Sequence, residues 1–266
     1  MTQLPPLAAE AIFHIGNFPV TNTYINSTLS LVLFLIVAFF IKRSVKDVPR
    51  GIQNFAELII ETLLGYFDQV TGSRKKSLKF LPLIGTLFIF ILVCNWIGVL
   101  PGVGSIVVRR GAEAVPLFRS ANADLNLTLS MAVFGVIAAH VIGVFSVGFF
   151  KYFNKFIKVA DVWLAFKSRK PMVIFTAFIE FMVGFLEIIS EAAKVVSLSL
   201  RLFGNVFAGE VLLTVLASIV AYLVPLPFIA LELLVGLIQS AVFAMLVLTY
   251  ISVATMPVHA HSEPNH

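Results

Sequence analysis

Long apolar runs starting at Leu29, Phe80, Leu125, Met172 and Leu226 divide the chain. About 20 apolar residues are needed to cross a bilayer as a helix. The ten-residue alternation of a membrane β-barrel is absent, so the pattern predicts an all-α polytopic membrane protein. The elements form one integral membrane domain over residues 1–266, with upright spans at 24–42, 80–100 and 125–150. Ahead of the first span, Pro5, Pro6 and Pro19 argue against a continuous helix. Between 49 and 71 the apolar residues Ile52, Phe55, Ala56, Ile59, Ile60, Leu63 and Leu64 recur at helical spacing, with Glu57, Glu61 and Asp68 elsewhere on the circumference. That pattern predicts an amphipathic helix lying at the membrane surface. Residues 101–123, with Gly102, Gly104, Gly111 and Pro116, read as a loop.

The C-terminal half differs. Residues 172–224 contain no proline. As one helix they would run about 80 Å, against a hydrocarbon core of about 30 Å. Such a helix either breaks, with Gly204 and Gly209 as candidates, or tilts steeply. Pro225 and Pro227 then mark a turn into a final long helix at 226–254, followed by a polar tail at 257–266.

Composition agrees with this reading. The chain is 59% hydrophobic and 12% charged, with a mean hydropathy of +0.99, whereas soluble domains average about 25% charged residues. The single cysteine, Cys94, excludes an internal disulfide and reads as a small buried apolar residue. Of the nineteen basic residues, fourteen fall in three stretches: Lys42 to Arg50, Arg74 to Lys79, and Lys151 to Lys170. The positive-inside rule puts these in the cytoplasm, with the N-terminus outside and the C-terminus cytoplasmic. Arg109, Arg110 and Arg119 lie in the outer loop, mildly against that rule. The net charge of +5 therefore reflects cytoplasmic loops and predicts no nucleic-acid partner. The polar start of the chain has no positive leading region, so no cleavable signal peptide is expected.

The candidate chemistry is concentrated near SLSLRLFGNVFAGE, residues 197–210. An arginine at the centre of a membrane helix costs roughly 2.5–3.5 kcal/mol on insertion scales, and it normally faces protein or a water-filled cavity. Arg201 cannot lose its proton, so it is a fixed positive charge. On an ideal helix Lys194 lies about 20° from Arg201, Asn205 and Glu187 about 40°, and Glu210 about 180°. On the final helix Glu232, Gln239 and Tyr250 fall within about 20° of one line, a polar stripe facing something other than lipid. A packing reading stands beside the functional one: Arg201 with Glu187, or Lys194 with Glu191, as ion pairs that fix the helices. Glu180 reads as a solvated residue near the cytoplasmic loop.

The run L-R-L-F-G-N followed by A-G-E resembles the signature of subunit a of F-type ATP synthase. The likeness extends to A-E-A-I-F-H-I-G-N-F-P-V-T-N near the N-terminus, to A-D-L-N-L-T-L-S-M-A in the middle, and to the final helix with Gln239. It covers most of the chain. The resemblance implies a non-catalytic stator subunit in a bacterial inner membrane. It would offer two offset half-channels for protons to and from carboxylates of a c-ring of subunit c. Implied partners are that ring, the peripheral stalk subunit b, the other ATP synthase subunits and the bilayer; no cofactor and no metal is implied.

By the same resemblance Arg201 faces the ring carboxylates, and Asn205 and Gln239 are its polar neighbours. Glu210 belongs to one proton channel and Glu187 to the opposite one. Glu232 stands at a position held by histidine in some relatives. Asp124 reads equally as an acidic channel residue or as a helix N-cap. His140 reads as a packing histidine or a relay. Glu191, Lys194 and Tyr250 complete the candidates.

Two rivals are weaker. A secondary transporter or ion channel with an intramembrane Arg/Glu pathway is usually built from repeats with paired broken helices, and the 197–210 stretch has no second copy. An intramembrane enzyme lacks support, because neither G-x-S-x-G nor H-E-x-x-H is present. There is no G-x-x-x-x-G-K-[ST] phosphate loop either. His259 and His261 could bind metal or lie in a solvated tail.

Overall fold

The computed structural model describes residues 5–46, 51–100, 106–110, 113–156, 171–219 and 225–256. The chain opens with a short antiparallel hairpin, β1 (Ala11–Ile15) and β2 (Phe18–Thr21), where the sequence predicted only the absence of a helix. Gly16 makes its turn at φ 62°, a conformation that costs glycine little. Thr21 then caps α1 (Asn22–Ser44), its hydroxyl accepting from the Tyr24 amide at 3.2 Å. The amphipathic segment forms α2 (Ile52–Thr71), ended by Gly72 in the left-handed region.

The second span, α3 (Arg74–Val99), begins six residues before the expected boundary and takes the basic cluster into its first turns. Pro82 lies inside it. Within the loop expected at 101–123, β3 (Val107–Arg110) pairs with β4 (Glu113–Pro116), and a 3₁₀ turn covers Ala121–Ala123; Gly102, Gly104 and Gly111 lie outside the described residues.

The third span, α4 (Leu125–Val147), is capped by Asp124, which accepts from the Asn126 amide at 2.8 Å. It stops three residues before the expected end. Gly148 at φ 96° reverses the chain into α5 (Phe149–Phe156). The long helix α6 (Pro171–Ile219) runs through Gly204 and Gly209 without a break, which removes the first of the two alternatives, a break or a steep tilt. The final helix is α7 (Pro225–Ala254). Residues 220–224 of the expected long helix, all of 157–170 and the 257–266 tail with His259 and His261 lie outside the described residues.

Among the described residues, five helices are long and apolar enough to cross a membrane: α1, α3, α4, α6 and α7. The core is built where α3, α4, α6 and α7 meet. Phe67 of α2, Ile84 and Ile91 of α3, Leu198 and Leu202 of α6, and Phe243, Val247 and Leu248 of α7 are almost fully buried in it. Glycines permit the close approaches. A Cβ at Gly135 would lie 2.9 Å from Val247, and one at Gly98 would collide with Ser120.

An amide network holds the end of the bundle where α3 meets the 117–124 segment. Asn122 Nδ2 donates to Asn95 Oδ1 at 2.7 Å, Asn95 Nδ2 to the Gly236 carbonyl at 3.1 Å, and Asn26 Nδ2 to the Arg119 carbonyl at 2.8 Å. Buried amides left unpaired would cost about 1–3 kcal/mol each, so this network fixes where the 117–124 segment sits.

Candidate proton-translocation site

Along α6, Leu198, Leu202, Val206 and Gly209 recur at three- and four-residue spacing and are buried. That face packs on the bundle. Arg201 and Asn205 lie on the uncovered side. Leu200, Gly204 and Ala208 on the same side are exposed as well. The arginine therefore stands at the edge of a broad face that this chain leaves open.

The polar stripe predicted on the final helix faces α6. Gln239, 5% exposed, accepts from Asn205 Nδ2 at 2.9 Å through its Oε1. Glu232 sits one level further along, its carboxylate against Gly209, where any Cβ would collide with it. Tyr250 lies at the other end, with Lys194 Nζ 5.1 Å from its ring centroid and Arg201 and Glu191 within electrostatic reach.

Two charged groups flank Arg201. On one side Arg119 Nε donates to both oxygens of Glu210, at 2.9 and 3.0 Å. Its Nη1 donates to the Ala8 carbonyl at 3.2 Å, and its guanidinium lies 5.9 Å from the Phe207 ring centroid. Glu10 is within electrostatic reach of Glu210, and Glu232 is nearby across Gly209. On the other side Lys194 Nζ donates to Glu191 Oε1 at 2.6 Å. Glu191 Oε2 is 3.6 Å from His140 Nε2, and His140 Nδ1 is 2.7 Å from the Tyr152 hydroxyl. Glu187 is within electrostatic reach of Tyr152.

The family whose model describes the ATP synthase A chain matches residues 24–252. The chain belongs to that family. It is 31% identical to ATP synthase subunit a of Moorella thermoacetica over 252 residues, covering 95% of this chain and 97% of the relative. It is 33% identical to ATP synthase subunit a of Campylobacter jejuni, covering 94% and 91%, and 35% identical to that of Geotalea uraniireducens, covering 84% and 82%. As an ATP synthase A chain it is a bacterial, multi-pass, proton-translocating stator subunit of the membrane sector, non-catalytic in itself, working with other subunits of the complex.

Within this A chain the candidates sort by contact. Asn205 with Gln239, Glu191 with Lys194, and Gly209 with Glu232 are brought together. Glu210 points away from Arg201, as the helical angles predicted, and meets Arg119. Asp124 does not join either group: it caps α4 and accepts from the Thr23 hydroxyl at 3.0 Å. Sequence reasoning missed Arg119 and Tyr152. Arg119 left one signal, a basic residue in a loop where the charge rule predicts few. Tyr152 left none, because its position follows from the chain reversal at Gly148.

Proposed function

We propose that this subunit carries protons through two half-channels that do not meet, with Arg201 between them. The outer one is lined by Glu210, Glu232 and Arg119, and the inner one by Glu187, Glu191, Lys194 and His140. The N-terminus lies outside and the C-terminus in the cytoplasm. A ring of subunit c covers the open face of α6 at Arg201, and the peripheral stalk subunit b is a further partner. The α6 helix, about 74 Å long, lies steeply inclined in a core of about 30 Å.

The observation that carries this reading is the gap in titratable groups along α6. Between Lys194 and Glu210 the only ionisable side chain is Arg201. It lies about 10 Å along the axis from one cluster and about 13 Å from the other. A proton can hop between carboxylates, histidines and waters on either side, but it meets a permanent positive charge in the middle.

A neutral, protonated ring carboxyl can move through lipid, while the charged form cannot do so cheaply. When a ring carboxyl reaches Arg201, the guanidinium stabilises the ionised form and favours proton release. Two unit charges at 4 Å interact by about 4 kcal/mol at an effective dielectric of 20. The membrane potential supplies about 2.3 kcal/mol per charge per 100 mV. The arginine thus acts on the same scale as the driving force. The bond from Asn205 to Gln239 ties α6 to α7 at this level and keeps the Arg201 face oriented.

The test is ATP-driven acidification of inverted vesicles holding the assembled complex, with Arg201→Ala beside the wild type. Pumping is expected to vanish with assembly intact, and vesicles stripped of the catalytic head should leak protons at least as fast as the wild type. Normal pumping by the alanine variant would reduce Arg201 to a packing residue.

A further inference from the structure

The cluster at the inner end contains an arrangement that the charge-barrier reading does not use. Tyr152 belongs to α5, beyond the third span, yet it is 5% exposed. Its ring is pressed against Gly143 of α4, where a Cβ would come within 2.6 Å of it. Gly148 turns the chain back and Gly143 leaves room for the ring. Together they deliver the phenol hydroxyl to His140 Nδ1 at 2.7 Å. The other imidazole nitrogen, Nε2, faces Glu191 Oε2 at 3.6 Å.

We propose that His140 is a proton-exchange residue of the inner half-channel and that Tyr152 is the positioning residue that fixes its tautomer. Burial, and then the charges of Glu191 and Glu187, push the Tyr152 phenol up to about 12. The phenol therefore keeps its proton at any working pH and donates it to Nδ1. That leaves the neutral imidazole with its hydrogen on Nε2, aimed at the carboxylate. Which nitrogen of a histidine carries the proton is set by the partner of the other.

The proton balance is closed. A proton arriving from inner water at the Tyr152 oxygen is matched by passage of the phenol proton to Nδ1, giving an imidazolium. The imidazolium passes its Nε2 proton to the Glu191 carboxylate. The ring then carries its hydrogen on Nδ1. It resets when Nδ1 hands that proton to the Tyr152 oxygen as the phenol proton leaves to inner water, while Nε2 takes one proton from inner water. The reset moves no net proton, and the reverse order of the whole cycle moves a proton outward.

The charges facing His140 suit this role. Glu191 of α6 is 3.6 Å from the ring, and Lys194 is 2.6 Å from that carboxylate. Glu187 of α6 is within electrostatic reach of Tyr152. Tyr250 of α7 lies over Lys194, and Lys151 of α5 is exposed. Histidine is the side chain whose ordinary pKa, about 6.5, brings both forms within reach of cytoplasmic pH. The inference rests on the inner half-channel proposed above.

The experiment is the initial rate of ATP-driven acidification in inverted vesicles as the external, cytoplasmic-side pH is varied from about 5.5 to 8.5, across the histidine range. Rates are divided by the ATPase rate of the same vesicles. His140→Gln is expected to pump about a hundredfold more slowly, the lower end of what loss of one positioned proton-transfer group costs, and to lose the wild-type step in the pH profile. Tyr152→Phe keeps the ring on Gly143 and is expected to move that step while assembly stays normal.

A wild-type profile in both variants overturns the proposal. If His140→Gln fails to assemble, Tyr152→Phe decides alone: an unmoved step overturns the proposal and a moved one supports it. Glu187→Gln separates the two readings. If it slows pumping while the His140 and Tyr152 variants do not, the half-channel stands and the exchange role falls. If none of the three has an effect, the inner half-channel is misplaced and the exchange role falls with it.

Discussion

Arg119 donates from Nε to both carboxylate oxygens of Glu210, at 2.9 and 3.0 Å, across 91 positions of sequence. The arginine side chain is 1% exposed and the carboxylate 25%. Removing one partner of a buried pair leaves an uncompensated charge and typically costs about 3–5 kcal/mol. Arg119→Ala is therefore expected to lower the amount of assembled complex and to abolish most of its pumping. The double variant Arg119→Gln with Glu210→Gln removes both charges and should assemble better than Arg119→Ala. Quantifying the subunit in purified complexes checks this. Equal loss in both would show that the pair does not stabilise the fold.

The contact between Gly209 and Glu232 gives a prediction that separates function from stability. A Cβ at position 209 would collide with the Glu232 carboxylate. That carboxylate ends a flexible side chain and can swing aside, so Gly209→Ala should assemble normally. It should pump several-fold more slowly, because the carboxylate can no longer sit against α6 beside Glu210. The ratio of acidification to ATP hydrolysis in vesicles measures this. Unchanged coupling would mean that Glu232 works from another position.

Asp124 offers a test of a structural role. Its carboxylate accepts from the Asn126 amide at 2.8 Å and from the Thr23 hydroxyl at 3.0 Å. Asparagine caps helices about as well as aspartate, and replacing either by alanine costs about 0.5–2 kcal/mol. Asp124→Asn is expected to pump at close to the wild-type rate, and Asp124→Ala to lower thermal stability of the complex. Loss of pumping in the asparagine variant would instead require the charge itself.

The geometry of α6 and α7 was partly legible in the sequence. Helical angles put Glu210 opposite Arg201, and Glu232, Gln239 and Tyr250 on one line of the final helix. That line faces α6, through Gly209, Asn205 and Lys194 in turn. Angles within one straight helix need only the 3.6-residue period. Of the two alternatives for the long helix, a break at Gly204 or Gly209 and a steep tilt, the break is absent. Glycine weakens a helix by about 1 kcal/mol relative to alanine, too little to interrupt one whose neighbouring turns are held by Leu198, Leu202 and Val206 in the core. Nor is Gly209 there for a break: it admits the Glu232 carboxylate.

By itself, the sequence determined the membrane spans, the permanence of the charge at Arg201 and the absence of any other titratable group between Lys194 and Glu210. These are properties of composition and local spacing, since a bilayer reads hydrophobic length and a guanidinium keeps its proton wherever it lies. Only the tertiary structure decided that Arg119, from the loop before α4, meets Glu210, and that Tyr152 turns back to meet His140. Both depend on backbone reversals and on close approaches held by distant partners: the Asn26 bond to the Arg119 carbonyl, and the tyrosine ring on Gly143. No pattern within a single helix encodes such contacts, because their partners lie on other elements.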